Sequence, residues 1–123
     1  MFCFQCQETA KNTGCTVKGV CGKTDDTARL QDLLVFTLKG LAVAVRKSGS
    51  NADVQKAGRF AVRALFTTIT NANFDNYRLA EVIRESLALR DEIKASAGLS
   101  LGTPEAVAWS ADDLDSFLAK AAT

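Results

Sequence analysis

Across residues 27–47 the apolar side chains of Leu30, Leu33, Leu34, Leu38, Leu41 and Val45 recur at three- and four-residue steps, the period of a helix with one face to bury. Thr24, Asp25 and Asp26 stand just before this stripe as N-cap candidates that place acid at the positive end of the helix dipole, and Arg46, Lys47 and Gly49 close it. The polar stretch 48–53 then predicts a turn. A second helix follows, with Val54, Ala57, Phe60, Ala61, Ala64, Leu65 and Thr68 on one face. Small residues dominate that face, which predicts a close antiparallel pairing of the first two helices. Thr67, Thr68, Ile69 and Thr70 weaken the helix towards its end, and residues 71–75 read as a turn with Asn73 or Asp75 as the next cap.

A third helix is predicted over about residues 74–96. Leu79, Val82, Ile83, Ser86, Leu87, Leu89 and Ile93 mark its buried face, while Arg78, Glu81, Arg84, Glu85, Arg90 and Glu92 fall mostly outside it as solvated charge. Gly98 ends it, and residues 99–104, with Gly102 and Pro104, form a breaker-rich connection. Ser110 reads as the N-cap of a short last helix through Leu114, Phe117, Leu118 and Ala121, with Asp112 and Asp113 in its first turn. The pattern predicts an all-α fold, a three-helix bundle with a short C-terminal helix. One domain is expected over 1–123, divided into a loop at 1–24, a bundle at 25–98 and a tail at 99–123.

Composition narrows the function classes. The chain of 123 residues is 47% hydrophobic and 24% charged, enough to bury one modest core. A net charge of +1 and few, scattered aromatics give no attraction for nucleic acid and no stacking platform. The most apolar stretch, residues 33–45, is interrupted by Thr37, Lys39 and Gly40 and is too short to span a membrane. With no secretory signal in view, the expected location is the cytoplasm of a reducing, oxygen-poor cell.

The loop ahead of the first helix carries the chemistry. All four cysteines, Cys3, Cys6, Cys15 and Cys21, lie there in a C-x2-C-x8-C-x5-C spacing, and the chain has no histidine. Four thiolates from one loop can satisfy the corners of an iron–sulfur cubane or a tetrahedral zinc ion, and the same residues could form two disulfides. Gly14, Gly19 and Gly22 stand where a wrapping loop needs positive φ and close backbone approach. Lys11, Lys18 and Lys23 outnumber Glu8, a balance that offsets the negative charge of four thiolates. Phe2, Phe4, Val17 and Val20 are expected to shield the sulfurs from water. No residue is singled out as catalytic.

The segments Met-Phe-Cys-Phe-Gln-Cys-Gln-Glu-Thr at 1–9, Asn-Thr-Gly-Cys-Thr at 12–16 and Gly-Val-Cys-Gly-Lys at 19–23 closely resemble the amino terminus of the hybrid cluster protein family, also called prismane proteins or hydroxylamine reductases. The likeness continues through residues 30–36 and 64–73 and thins beyond about residue 97. It implies that Cys3, Cys6, Cys15 and Cys21 bind a [4Fe-4S] cluster, in a helical domain that passes electrons toward a second, hybrid cluster. That second cluster takes ligands from later domains of the family, so this chain alone is expected to show no hydroxylamine reductase turnover and to be either a fragment or isolated front domain, or a short relative that acts as an electron carrier. The expected partners are a redox protein donor and either the remainder of such an enzyme or a second copy of this chain. The alternative function is structural, a docking or dimerisation module stapled by zinc or an inert cluster.

Overall fold

The computed structural model describes residues 1–69, 75–98 and 105–123. These contain five α-helices, α1 (Asp25–Ser48), α2 (Asn51–Ile69), α3 (Asn76–Ser96), α4 (Glu105–Ala108) and α5 (Leu114–Ala121), preceded by one 3-10 turn at Ala10–Asn12 and no strand. The all-α expectation holds. The expected turn at 71–74, Asn73 as a cap, and the connection at 99–104 lie outside the described residues.

The caps explain where the long helices begin and end. Thr24 accepts the backbone N–H of Thr27 at 3.3 Å to start α1, with Asp25 and Asp26 in the first turn, and Gly49 ends it in the left-handed conformation at φ 66°. Ser50 receives the N–H of Asp53 at 3.3 Å, and Asp75 receives those of Tyr77 and Arg78. The last helix is capped by Asp113, whose side chain takes the N–H of Ser116. It therefore starts three residues after the expected Ser110 cap. Asp113 is held below the usual carboxylate range, chiefly by that N–H.

The apolar stripe of α1 is the axis of the molecule: Leu30, Leu33, Leu34, Leu38 and Leu41 are all buried. Each such side chain contributes about 1.5–3 kcal/mol relative to leaving it in water. The principal partner of α1 is α3, through Leu79, Val82, Ile83, Leu87 and Ile93, while α4, α2 and α5 pack less extensively around it. The expected close pairing of the first two helices is thus the lesser of α1's long contacts. On α2, Ala57, Phe60, Ala64 and Thr68 are buried, but Val54 and Leu65, assigned to the same face by periodicity, are exposed. The reason is that α2 meets α3 only lightly, so less of its circumference is covered.

Gly40 sets how closely α4 approaches α1. A Cβ at this position would sit 2.0 Å from the carbonyl oxygen of Ala106, so only hydrogen fits between the two backbones. The carbonyls that α4 turns inward are satisfied by α3. Arg90 donates through Nη1 to Ala106 at 3.1 Å and Trp109 at 2.6 Å, and Lys94 donates to Val107 at 3.0 Å. Arg90 is 1% exposed, contrary to its expected place on the solvated face. Its buried guanidinium is kept by these carbonyls and by Asp91, at 2.8 Å from Nη2. No helix among the described residues is long and apolar enough to cross a membrane.

Candidate metal centre

The loop ahead of α1 is folded by a pair of backbone hydrogen bonds between two of its cysteines. Cys3 and Cys15 exchange N–H and carbonyl bonds at 2.9 Å in both directions, forming a single antiparallel bridge. Gly14 makes this possible, because its φ of 129° is left-handed and the Phe2 ring lies 2.3 Å from where a Cβ would stand. The α-amino group of Met1 sits 2.9 Å from Asp25, which also pairs with Arg29, so the segment bearing Cys3 is tied to the first turn of α1. That amine is the main reason the Asp25 carboxyl titrates below its usual range.

The second half of the loop turns back on itself. Gly22 donates its N–H to Gly19 at 2.9 Å, and Gly19 donates to Lys23 at 2.8 Å. A Cβ on Gly19 would meet the Lys23 Cβ at 2.9 Å and the Cys21 sulfur at 3.1 Å, so the close return requires glycine. Thr24 follows at once as the cap of α1, and its hydroxyl contacts Thr27, which donates to Asn76 at 2.7 Å. The exit of the loop is thereby fixed to the starts of both α1 and α3.

Cys3, Cys6, Cys15 and Cys21 all line one recess, together with Gln5, Thr9, Gly19, Val20 and Lys23, and with Thr68 and Ile69 from the end of α2. All four are free thiols. Among the described residues, no group of three or more His, Cys, Asp or Glu side chains is gathered tightly enough to hold a metal ion. Cys6 and Cys21 are exposed, Cys3 is half-buried, and Cys15 is 5% exposed.

The Cys15 sulfur has the densest set of donors. The Ala10 N–H reaches it at 3.4 Å and the Thr9 hydroxyl contacts it at 3.7 Å, while the same hydroxyl lies 3.2 Å from the Cys3 carbonyl. These donors lower the Cys15 pKa, led by the Ala10 and Val20 amides and then Thr9; burial opposes them and the Lys23 charge assists. Around Cys3, the Lys23 ammonium lies 3.6 Å from the sulfur and 2.8 Å from Gln5 Oε1.

The four sequence-predicted cysteines therefore share one recess, but the expected apolar shield does not form. Phe2, Phe4, Val17 and Val20 are all exposed. A loop this short spends its backbone on turning round the sulfurs and has no second layer behind it, so its own apolar side chains point outward. The end of α2 supplies part of the wall instead. Sequence reasoning missed Thr9, Gln5, Thr68 and the burial of Lys23; Thr68 was legible only as a core position, since cysteine spacing carries no information about a helix so far along the chain.

The sequence profile of the Prismane/CO dehydrogenase family matches residues 1–122. The chain is 52% identical over 128 aligned residues to a hydroxylamine reductase of Desulfitobacterium hafniense (strain DSM 10664 / DCB-2), covering 99% of this chain and 23% of that protein. A hydroxylamine reductase of Desulfosudis oleivorans is 51% identical over 98% of this chain and 23% of its own length. One from Nitratidesulfovibrio vulgaris is 49% identical over 91% of this chain and 22% of its length. The chain thus spans less than a quarter of the length of these relatives.

Proposed function

The chain belongs to the Prismane/CO dehydrogenase family, and from that premise we propose that Cys3, Cys6, Cys15 and Cys21 hold a [4Fe-4S] cluster in a domain that serves one-electron transfer. The observation that carries this reading is the single recess lined by all four thiols. Four separate thiol donors around one space suit a cluster with four corners, each taking one thiolate. When bound, the cluster supplies a one-electron redox centre.

The chain's own residues prepare the site. The Ala10 N–H favours the ionised form of Cys15, which is the form that binds iron, while the Thr9 hydroxyl donates to the Cys3 carbonyl beside it. The bridge between Cys3 and Cys15 holds two of the four ligands in register before any metal arrives. Thr68, buried at the end of α2, closes one side of the recess. The part assigned to this span is electron delivery, taken from a redox protein donor. Reduction of hydroxylamine, the activity in the relatives' name, is assigned to sequence beyond it.

Iron and acid-labile sulfide analysis of protein prepared or reconstituted without oxygen tests the reading. About four of each per chain is expected, with loss of cluster on changing any one of the four cysteines to serine. Stoichiometric zinc without sulfide in the anaerobic preparation would overturn it in favour of a structural staple.

A further inference from the structure

The two flanks of α2 differ in chemistry. The flank toward α1 is apolar, through Val54, Ala57 and Ala61, whereas the flank toward α3 carries Lys56, Arg59 and Arg63 at three- and four-residue steps, one line along the helix. α2 and α3 meet only lightly, so a groove of about 690 Å³ opens between them, with the buried Phe60 and Leu89 at its floor and these three cations along one wall. α2 holds a single acid, Asp53, against them, while the chain as a whole has a net charge of only +1. The positive surplus is therefore local.

The acids of the facing wall leave most of it unanswered. Lys56 reaches Glu92 across the groove at 3.1 Å, an exposed pair that holds little, and Glu85 turns to Arg78 at 4.0 Å. Arg59 and Arg63 meet no carboxylate within ion-pair distance among the described residues. Arg63 lies over the Phe60 ring at 5.9 Å from its centroid, a contact that keeps the guanidinium on the wall of the groove. The same helix then runs into the cysteine recess, which Thr68 and Ile69 line. Arg63 stands about 9 Å before Ile69 at the helical rise of about 1.5 Å per residue, so a body seated on the row lies beside the recess. Two of the thiols there, Cys6 and Cys21, are exposed.

Resting on the electron-transfer reading above, we infer that Lys56, Arg59 and Arg63, with the groove beside them, form the docking surface for the electron donor, and that this donor is a small redox protein with an acidic face. A guanidinium pairs with a carboxylate at two points and loses little freedom in doing so, which suits two arginines that lack a partner in their own chain. A local surplus of one sign steers an oppositely charged protein as it approaches, and an apolar floor gives the contact a centre that excludes water.

An oxidised, dye-labelled bacterial ferredoxin with an acidic surface serves as the probe, its binding followed by fluorescence anisotropy on metal-free and on loaded chain. Binding to the parent at low salt is expected to weaken about tenfold or more in the Arg59→Glu, Arg63→Glu variant, and to weaken in the parent as salt is raised. A Lys39→Glu, Lys47→Glu variant makes the same change of net charge at exposed positions of α1 and is expected to bind as the parent does. In loaded protein, the second-order rate of electron transfer from the reduced ferredoxin should fall with the affinity in the arginine variant alone. All four positions are exposed, so circular dichroism is expected to be unchanged. Parent-like binding by the arginine variant overturns the inference, as does no binding to the parent at low salt, or equal loss in the α1 variant. Displacement of the ferredoxin by a single-stranded DNA oligonucleotide at the same charge concentration overturns it in favour of a general polyanion surface. A parent chain that takes up no cluster, yet binds the ferredoxin through the two arginines, defeats the functional reading and leaves the docking surface standing.

Discussion

Cys15 owes its enclosed position to the residue before it. Gly14 adopts a φ of 129° and lets the Phe2 ring lie on its backbone, which brings the Cys3 and Cys15 strands into their two hydrogen bonds. Gly14→Ala introduces a Cβ 2.3 Å from that ring in a conformation that side chains rarely adopt. Phe2 is exposed and can swing away, so the helical bundle is expected to persist while the loop opens. The expected outcome is faster alkylation of Cys15 in the metal-free variant, with little change in far-ultraviolet circular dichroism; alkylation at the parent rate would show that the bridge survives without glycine. Cys6 and Cys21, already exposed, serve as internal references in the same experiment.

Among the elements, α4 is the one whose stability is least its own. Four residues are too few for a helix to stand in water, since nucleation costs more than so short a run of hydrogen bonds returns. It is held by the close approach at Gly40, by the burial of Val107, and by the two cations of α3 that take its carbonyls. Lys120 reaches from α5 to Glu105 and lies over the Phe36 and Trp109 rings, joining the tail to the same corner. Arg90→Ala is expected to destabilise the fold by about 1–3 kcal/mol for each buried carbonyl left without a donor. Urea denaturation followed by Trp109 fluorescence reads this directly, because Trp109 sits at the site of the loss. A variant whose midpoint matches the parent would mean that water replaces the guanidinium without cost.

At the scale of the whole molecule, apolar surface is left uncovered in one place above others. α2 exposes Val54, Val62, Leu65 and Ile69, with Val62 at 72%, and a shallow apolar groove runs between α1 and α2 past Leu38, Leu41, Val45 and Ala61. The stripe of α1, by contrast, is covered by α3, α4 and α5. The longer relatives carry more than three further quarters of sequence that could seat on such a face. For the chain of 123 residues we propose a second copy as the occupant, burying α2 against α2. Sedimentation equilibrium is expected to show a concentration-dependent dimer, weakened in a Val62→Glu, Leu65→Glu variant whose circular dichroism is unchanged. A single monomeric mass up to high micromolar concentration would show that this face remains open to solvent.

The sequence by itself determined the three long helices, because their signals are local. The three- and four-residue steps of Leu30 to Leu41, the Thr24 cap, Gly49 and Gly98 act within a turn or two of where they stand, and each is found at or beside its predicted place. The four cysteines were equally legible as one group, since their chain spacing alone keeps them in one loop. Tertiary structure decided what meets what. That α3 rather than α2 is the main cover of α1, that Arg90 turns inward to an unforeseen α4, and that Thr68 and Ile69 wall the sulfur recess all depend on contacts between residues far apart in the chain. Periodicity reports how much of a helix is apolar, not which neighbour will cover it, and so it placed Val54 and Leu65 in a core that no helix closes. Lys23 shows the same division at a single residue: its charge is written in the sequence, but only the fold decides that its side chain is buried, with Nζ 2.8 Å from Gln5 Oε1.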